Sequence, residues 1–121
     1  MKKTHNMSVL IDANNAADAL IVSVYLQSNL IETEVSFDWQ TTLNLLKSND
    51  YSAFLIDRRN STENITLSAL EVRKIVSCPL VILASEKEHL SVIQDSRLEP
   101  IMCLIKPVPG MVLIKCLRQL V

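Results

Sequence analysis

The sequence predicts a single α/β domain spanning residues 1–121, with a parallel sheet covered by helices on both faces. Three observations predict it. The apolar runs are four or five residues long, which is strand length rather than helix length. They alternate with segments whose apolar residues recur at helical spacing, and right-handed crossovers then force a parallel sheet with helices on both sides. One run, Ala53-Phe54-Leu55-Ile56, ends in Asp57 and is followed by Arg58, Arg59 and Asn60. An unbroken apolar strand reads as one buried on both faces. A carboxylate at its C-terminal end sits where open α/β sheets keep their chemistry.

The elements follow in order. Ser8 to Ile11 is a short strand leading into Asp12, and Asn14 or Asn15 can cap the helix after it by accepting from its first free N–H groups. Across Ala16 to Asn29 the spacing of Ala19, Leu20, Val22, Ser23, Leu26 and, just beyond, Leu30 predicts that helix. A second strand is expected from Glu34 to Phe37. Asp38 then caps a helix carrying Trp39, Leu43, Leu45 and Leu46, which ends near Asn49. Ala53 to Asp57 is the third strand. Ile65, Leu67, Leu70, Val72 and Ile75 predict a helix over Ile65 to Val76, stopped by Pro79. Leu80 to Ala84 reads as a fourth strand, Glu86 to Gln94 as a short helix, and Met102 to Ile105 as a fifth strand. An amphipathic helix from Met111 to Val121 closes the chain.

Composition narrows the function. Apolar residues make up 49% of the chain and the mean hydropathy is +0.24. No apolar stretch approaches the ~20 residues that span a bilayer, so no membrane contact is expected of this domain. The basic start, Met1 to Asn6, is not followed by a long apolar stretch and does not read as a signal peptide. A net charge of −1 leaves no electrostatic footprint for nucleic acid. With Gly110 as the one glycine, neither a P-loop nor a dinucleotide fingerprint can be built, which also weighs against a nucleotide- or flavin-binding domain. His5 and His89 lack neighbours at zinc-ligand spacing. Cys78, Cys103 and Cys116, widely spaced among apolar residues, read as reduced thiols of a cytoplasmic protein.

Four segments in this order and spacing resemble the receiver domains of two-component phosphorelays, most closely those of hybrid sensor histidine kinases. They are Val9-Leu10-Ile11-Asp12-Ala13-Asn14, Tyr51 to Asp57, Pro79 to Ser85, and Leu104-Ile105-Lys106-Pro107-Val108. The resemblance covers Val9 to Leu120 and implies a flavodoxin-like (βα)5 sandwich whose five-stranded parallel sheet has the order 2-1-3-4-5. It implies Asp57 as phosphoryl acceptor and Lys106 as the cation beside the phosphoryl oxygens, with a cis Lys106–Pro107 peptide. Asp12 and Asp57 would be the Mg2+ ligands, with no other cofactor site. The implied partner is a histidine kinase or histidine-phosphotransfer domain, docking on Asn15, Ala16, Ala19 and Pro107 to Pro109. Such a domain is cytoplasmic, or the cytoplasmic portion of a membrane-bound kinase. It is at most a phosphoryl acceptor, not a metabolic enzyme.

Several positions depart from the family pattern. The second metal acid is Ala13, and the fourth-strand hydroxyl position is Ala84. The aromatic switch position is Cys103, and the loop after Asp57 runs Arg58-Arg59-Asn60-Ser61-Thr62-Glu63. Losing the carboxylate at Ala13 removes one full charge from the site, and at an effective dielectric of about 20 a pair of unit charges at 4 Å is worth roughly 4 kcal/mol before desolvation. Mg2+ binding is therefore expected to be weak or absent unless Asn14, water or Glu86 compensates. Ala84 removes a hydrogen bond to a charged acceptor worth roughly 1.5–3 kcal/mol. Ser85 could supply the hydroxyl through a bulge or an early strand end. Arg58 and Arg59 could grip phosphoryl oxygens, or be solvated loop charges that neutralise Asp57 and Asp12. Two functions stay open: a phosphorelay receiver that accepts a phosphoryl group on Asp57, and a pseudo-receiver acting as a phosphorylation-independent interaction module. Ile93, Leu98 and Ile101 are a candidate contact patch between copies.

Overall fold

A computed structural model describes residues 7–59, 64–85 and 96–121. The helix expected over Glu86 to Gln94, together with Glu86 and Ile93, lies outside them. Five strands, β1 (Ser8–Ala13), β2 (Glu32–Ser36), β3 (Ala53–Asp57), β4 (Leu80–Ala84) and β5 (Ile101–Ile105), form one parallel sheet in the order β2-β1-β3-β4-β5. Among the described residues four α-helices cover it: α1 (Ala16–Ser28), α2 (Trp39–Ser48), α3 (Ile65–Arg73) and α4 (Gly110–Leu120). The predicted architecture and strand order are both present.

Alternation along the strands divides the core in two. Val9, Ile11, Leu55, Val81 and Leu83 face one way and meet α1 and α4 through Leu26, Leu113 and Leu117. Leu10, Phe54, Ile56, Leu80 and Ile82 face the other way and meet α2 and α3 through Leu46, Ala69 and Val72. Every residue of β3 and β4 is buried, which accounts for their unbroken apolar runs. Burying one such Leu or Ile removes enough apolar surface to stabilise by about 1.5–3 kcal/mol.

Element ends depart from expectation for identifiable reasons. β1 extends to Ala13 because its ladder with β3 continues through Asp12↔Ile56 and Ala13↔Asp57. β2 starts at Glu32, in register with Ser8, and leaves Phe37 exposed beyond its end. α3 stops at Arg73, where Lys74 N–H turns to the Glu71 carbonyl and Arg73 donates to the carbonyls of Cys78, Leu98 and Pro100 at 2.6–2.8 Å. Leu98 is fully buried, so the expected patch of Ile93, Leu98 and Ile101 loses its middle member to the core.

α1 differs most from its pattern. It buries Ala19, Ser23 and Leu26, while Leu20, Ile21 and Val24 stay more than half exposed. Leu20 therefore belongs to the outer face, and Ala19, expected at a docking surface, belongs to the core. The cap is Asn15, whose side chain accepts from Asp18 N–H at 3.0 Å. At the other end Leu30 sits at φ 64°, with Leu30 N–H bonded to the Gln27 carbonyl and Ile31 N–H to the Leu26 carbonyl. That is a Schellman ending, normally built on glycine, with Ile31 and Leu26 in the same apolar cluster.

Candidate functional site

The parallel sheet brings the C-terminal ends of β1, β3, β4 and β5 to one edge, where Asp12, Asp57 and Lys106 stand at or just past strand ends. The strand order reverses direction between β1 and β3, the crevice where such sheets hold ligands. Asp57 at the end of β3 and Lys106 just past β5 line one cavity there, and Asp12 near the end of β1 is linked to them through Arg58, whose side chain pairs with Asp12 and whose carbonyl accepts from Lys106.

Asp12 is buried, and both of its carboxylate oxygens are engaged. Thr42 Oγ1, fully buried on α2, donates to Oδ2 at 2.5 Å, and Arg58 Nε donates to Oδ1 at 2.6 Å. The Arg58 side chain is 11% exposed. Its guanidinium lies 4.6 Å from the centre of the Trp39 ring, while Trp39 Nε1 donates to Glu71 at 2.8 Å. The expectation of Arg58 as a solvated loop charge is thus corrected. Once Asp12 leaves water, an opposite charge with hydrogen bonds is what keeps its ionised form stable.

Asp57 is also buried, and Lys106 Nζ approaches its Oδ1 at 3.3 Å. The same ammonium donates to the Arg58 carbonyl at 2.8 Å. Burial pushes the Asp57 carboxyl above its ordinary range, with Lys106 pulling the other way. The Lys106–Pro107 peptide is cis, as the resemblance implies. Arg59 turns outward to a two-pronged pair with Asp18, Nε to Oδ2 at 3.0 Å and Nη2 to Oδ1 at 2.6 Å. Asn14 fixes that turn by bonding both the N–H and the carbonyl of Arg59, each at 2.7 Å. Its side chain thus serves the loop after β3, and Asn15 alone caps α1.

Ala84 is fully buried at the end of β4, and Ser85 beyond it is exposed. Cys103 pairs with Ile82 inside the sheet. Ala13 lies directly opposite Asp57 across the β1–β3 ladder, so no acid stands at that place. The cavity, about 560 Å³, has Asp57, Lys106 and Arg59 at one end and Val22, Tyr25 and Leu113 along its wall. It opens between α1 and α4. Among the described residues no group of three or more His, Cys, Asp or Glu gathers to hold a metal ion, and no helix is long and apolar enough to cross a membrane.

Sequence reasoning missed Thr42 and Trp39, the two side chains that seat Asp12 and Arg58. A hydroxyl and an aromatic three residues apart near the start of α2 share a helix face, which was the available signal. Nothing local in the sequence links them to residues 12 and 58.

No protein-family model matches the chain, and no curated protein matches it. Solved structures match over almost its whole length. A Methylobacillus flagellatus receiver domain described as CheY-like aligns with a TM-score of 0.81 at 16% identity, covering 97% of this chain and 100% of that one. The receiver domain of Francisella response regulator 1452 aligns at 0.78 and 24% identity, covering 95% and 96%. The Escherichia coli RcsC C-terminus, which contains a linker region and a phosphoreceiver domain, aligns at 0.78 and 18% identity, covering 98% of this chain and 47% of that one. The fold is that of CheY-like receiver domains.

Proposed function

We propose that this receiver fold is a cytoplasmic interaction module of a two-component phosphorelay, binding a histidine kinase or histidine-phosphotransfer domain without turning over a phosphoryl group at Asp57. The observation that carries this reading is the make-up of the cavity. Asp57 and Lys106 line it, and among its described lining residues there is no serine or threonine to supply the hydroxyl that Ala84 lacks. A carboxylate attacks an anionic phosphoryl group only when charge and hydrogen bonds are positioned around the transferred oxygens. Ala13 and Ala84 remove two of those groups.

An exposed apolar face beside the cavity supports the binding part of this reading. Exposed Ile21 on α1 borders the cavity and exposed Met111 lies on the neighbouring α4, with Leu20 and Val24 further along the outer side of α1. A partner helix covering them would bury apolar side chains that now meet water, which is the usual driving force of such association.

Phosphoryl acceptance on Asp57 stands as the second reading, favoured by Lys106 Nζ standing 3.3 Å from Asp57 Oδ1 in the cavity that both line. Incubation with acetyl phosphate and Mg2+, read by intact mass, separates the two. The interaction module shows no gain in mass, Asp57→Asn binds a histidine-phosphotransfer domain as the wild type does, and Ile21→Glu weakens that binding at least about tenfold, or 1.4 kcal/mol. A phosphoryl adduct that Asp57→Asn abolishes overturns it.

A further inference from the structure

We propose that the Arg58 guanidinium is the resident cation of this site, standing in place of a divalent metal ion, so that the domain binds no Mg2+ there. The inference rests on the receiver reading of the site and concerns its charge, not its partner. Mg2+ takes near-octahedral oxygen ligands at about 2.0–2.1 Å, commonly one or two carboxylates with waters. Among the described residues the donors at this edge do not fit it. Asp12 has one oxygen on Thr42 and the other on Arg58, the Arg58 carbonyl accepts from Lys106, and Ala13 offers no carboxylate opposite Asp57.

What stands there instead is a built seat for a guanidinium. Arg58 is always charged, its planar head is less strongly hydrated than an ammonium, and it stacks well on an aromatic face. Trp39 supplies that face and Asp12 the opposing charge, while Glu71 holds the Trp39 indole N–H. The charges also balance. Asp12 and Asp57 contribute two negative charges, and Arg58 and Lys106 two positive ones. A third acid at position 13 would require one more positive charge, which is the difference between a guanidinium and a divalent ion. Loss of the acid at Ala13 and gain of the cation at Arg58 therefore fit each other.

The test uses Mn2+ as a paramagnetic probe on the full chain, read by amide line broadening. The wild type is expected to show no broadening centred on Asp12, Ala13 and Asp57 at millimolar Mn2+. The double variant Ala13→Asp with Arg58→Met is expected to gain broadening there that Mg2+ competes away, with affinity raised at least about tenfold, or 1.4 kcal/mol. Broadening centred on those amides in the wild type overturns the proposal, as does a folded double variant that gains none. Should the double variant not fold, the urea midpoint of the wild type decides. It is unmoved by millimolar Mg2+ if the proposal holds, and a rise that Asp12→Asn abolishes overturns it. A phosphoryl adduct formed in the presence of a chelator would end the interaction-module reading and leave this one standing.

Discussion

Arg58 places its guanidinium carbon 4.6 Å from the centre of the Trp39 ring while its Nε donates to Asp12 at 2.6 Å. The loop after β3 is thereby tied to the first turn of α2 and to the end of β1 at once. Trp39 is the chain's one tryptophan, so its fluorescence reports this junction alone. Arg58→Met is expected to shift Trp39 emission, and Trp39→Leu to lower stability by about 1–2 kcal/mol beyond its lost apolar area, the range of a desolvated cation–π contact. Unchanged emission in the Arg58→Met variant would show that the two are not in contact in solution.

Asp57 should make stability fall as pH rises. Its folded carboxyl holds a proton more tightly than the ordinary value of 3.8, chiefly because burial disfavours the charged form. The folded state then binds more protons than the unfolded chain between those two values, and stability drops across that window. Asp57→Asn is expected to raise the urea midpoint at neutral pH, and Lys106 keeps the Arg58 carbonyl as a partner. The gain shrinks towards nothing as pH falls below 3.8. A gain that is constant across pH would place the effect elsewhere.

Gly110 and Tyr25 are in closer contact than any side chain at position 110 permits. A Cβ there would come 2.3 Å from the Tyr25 ring, so the ring must swing out of the α1–α4 junction. Gly110→Ala is expected to destabilise by about 1–3 kcal/mol, the usual range for overpacking. In a Tyr25→Ala background the same change is expected to be neutral or to stabilise by up to about 1 kcal/mol, because alanine stiffens the unfolded chain. Denaturant titration of the four proteins closes the cycle.

Leu30 holds a left-handed backbone that its side chain disfavours. The residue is largely exposed, so its side chain contributes little burial in return. Leu30→Gly is expected to stabilise by up to about 1 kcal/mol, since the left-handed form costs roughly 1–2 kcal/mol with a Cβ and glycine loses more entropy on folding. A loss of stability would mean that Leu30 is covered in solution.

The sheet was legible in the sequence because β3 and β4 are buried on both faces, and a doubly buried strand writes itself as an unbroken apolar run of strand length. Asp12, Asp57 and Lys106 were legible for a related reason, since each stands at a strand end that the ladder must deliver to one edge. Helix faces were harder. α1 carries apolar residues all round, so spacing alone could not tell that Ala19, Ser23 and Leu26 face inward while Leu20 faces out. The seating of Arg58 was not legible at all. It depends on Trp39 and Thr42, which reach Asp12 and Arg58 only after α2 packs on the sheet, and an arginine after a strand is ordinarily a solvated charge.

The pairing of Arg58 with Asp12, beside Ala13 opposite Asp57, has a consequence for the routes by which this site can change. Removing Arg58 alone strands the buried Asp12 charge, a loss of about 3–5 kcal/mol against a total stability of about 5–15 kcal/mol. Adding an acid at position 13 alone sets a third negative charge next to Asp57 with no cation to meet it. Each single step back towards a metal-binding site is uphill, and only both together restore electroneutrality with an ion bound. The arrangement works as a ratchet, easy to keep and hard to leave one substitution at a time.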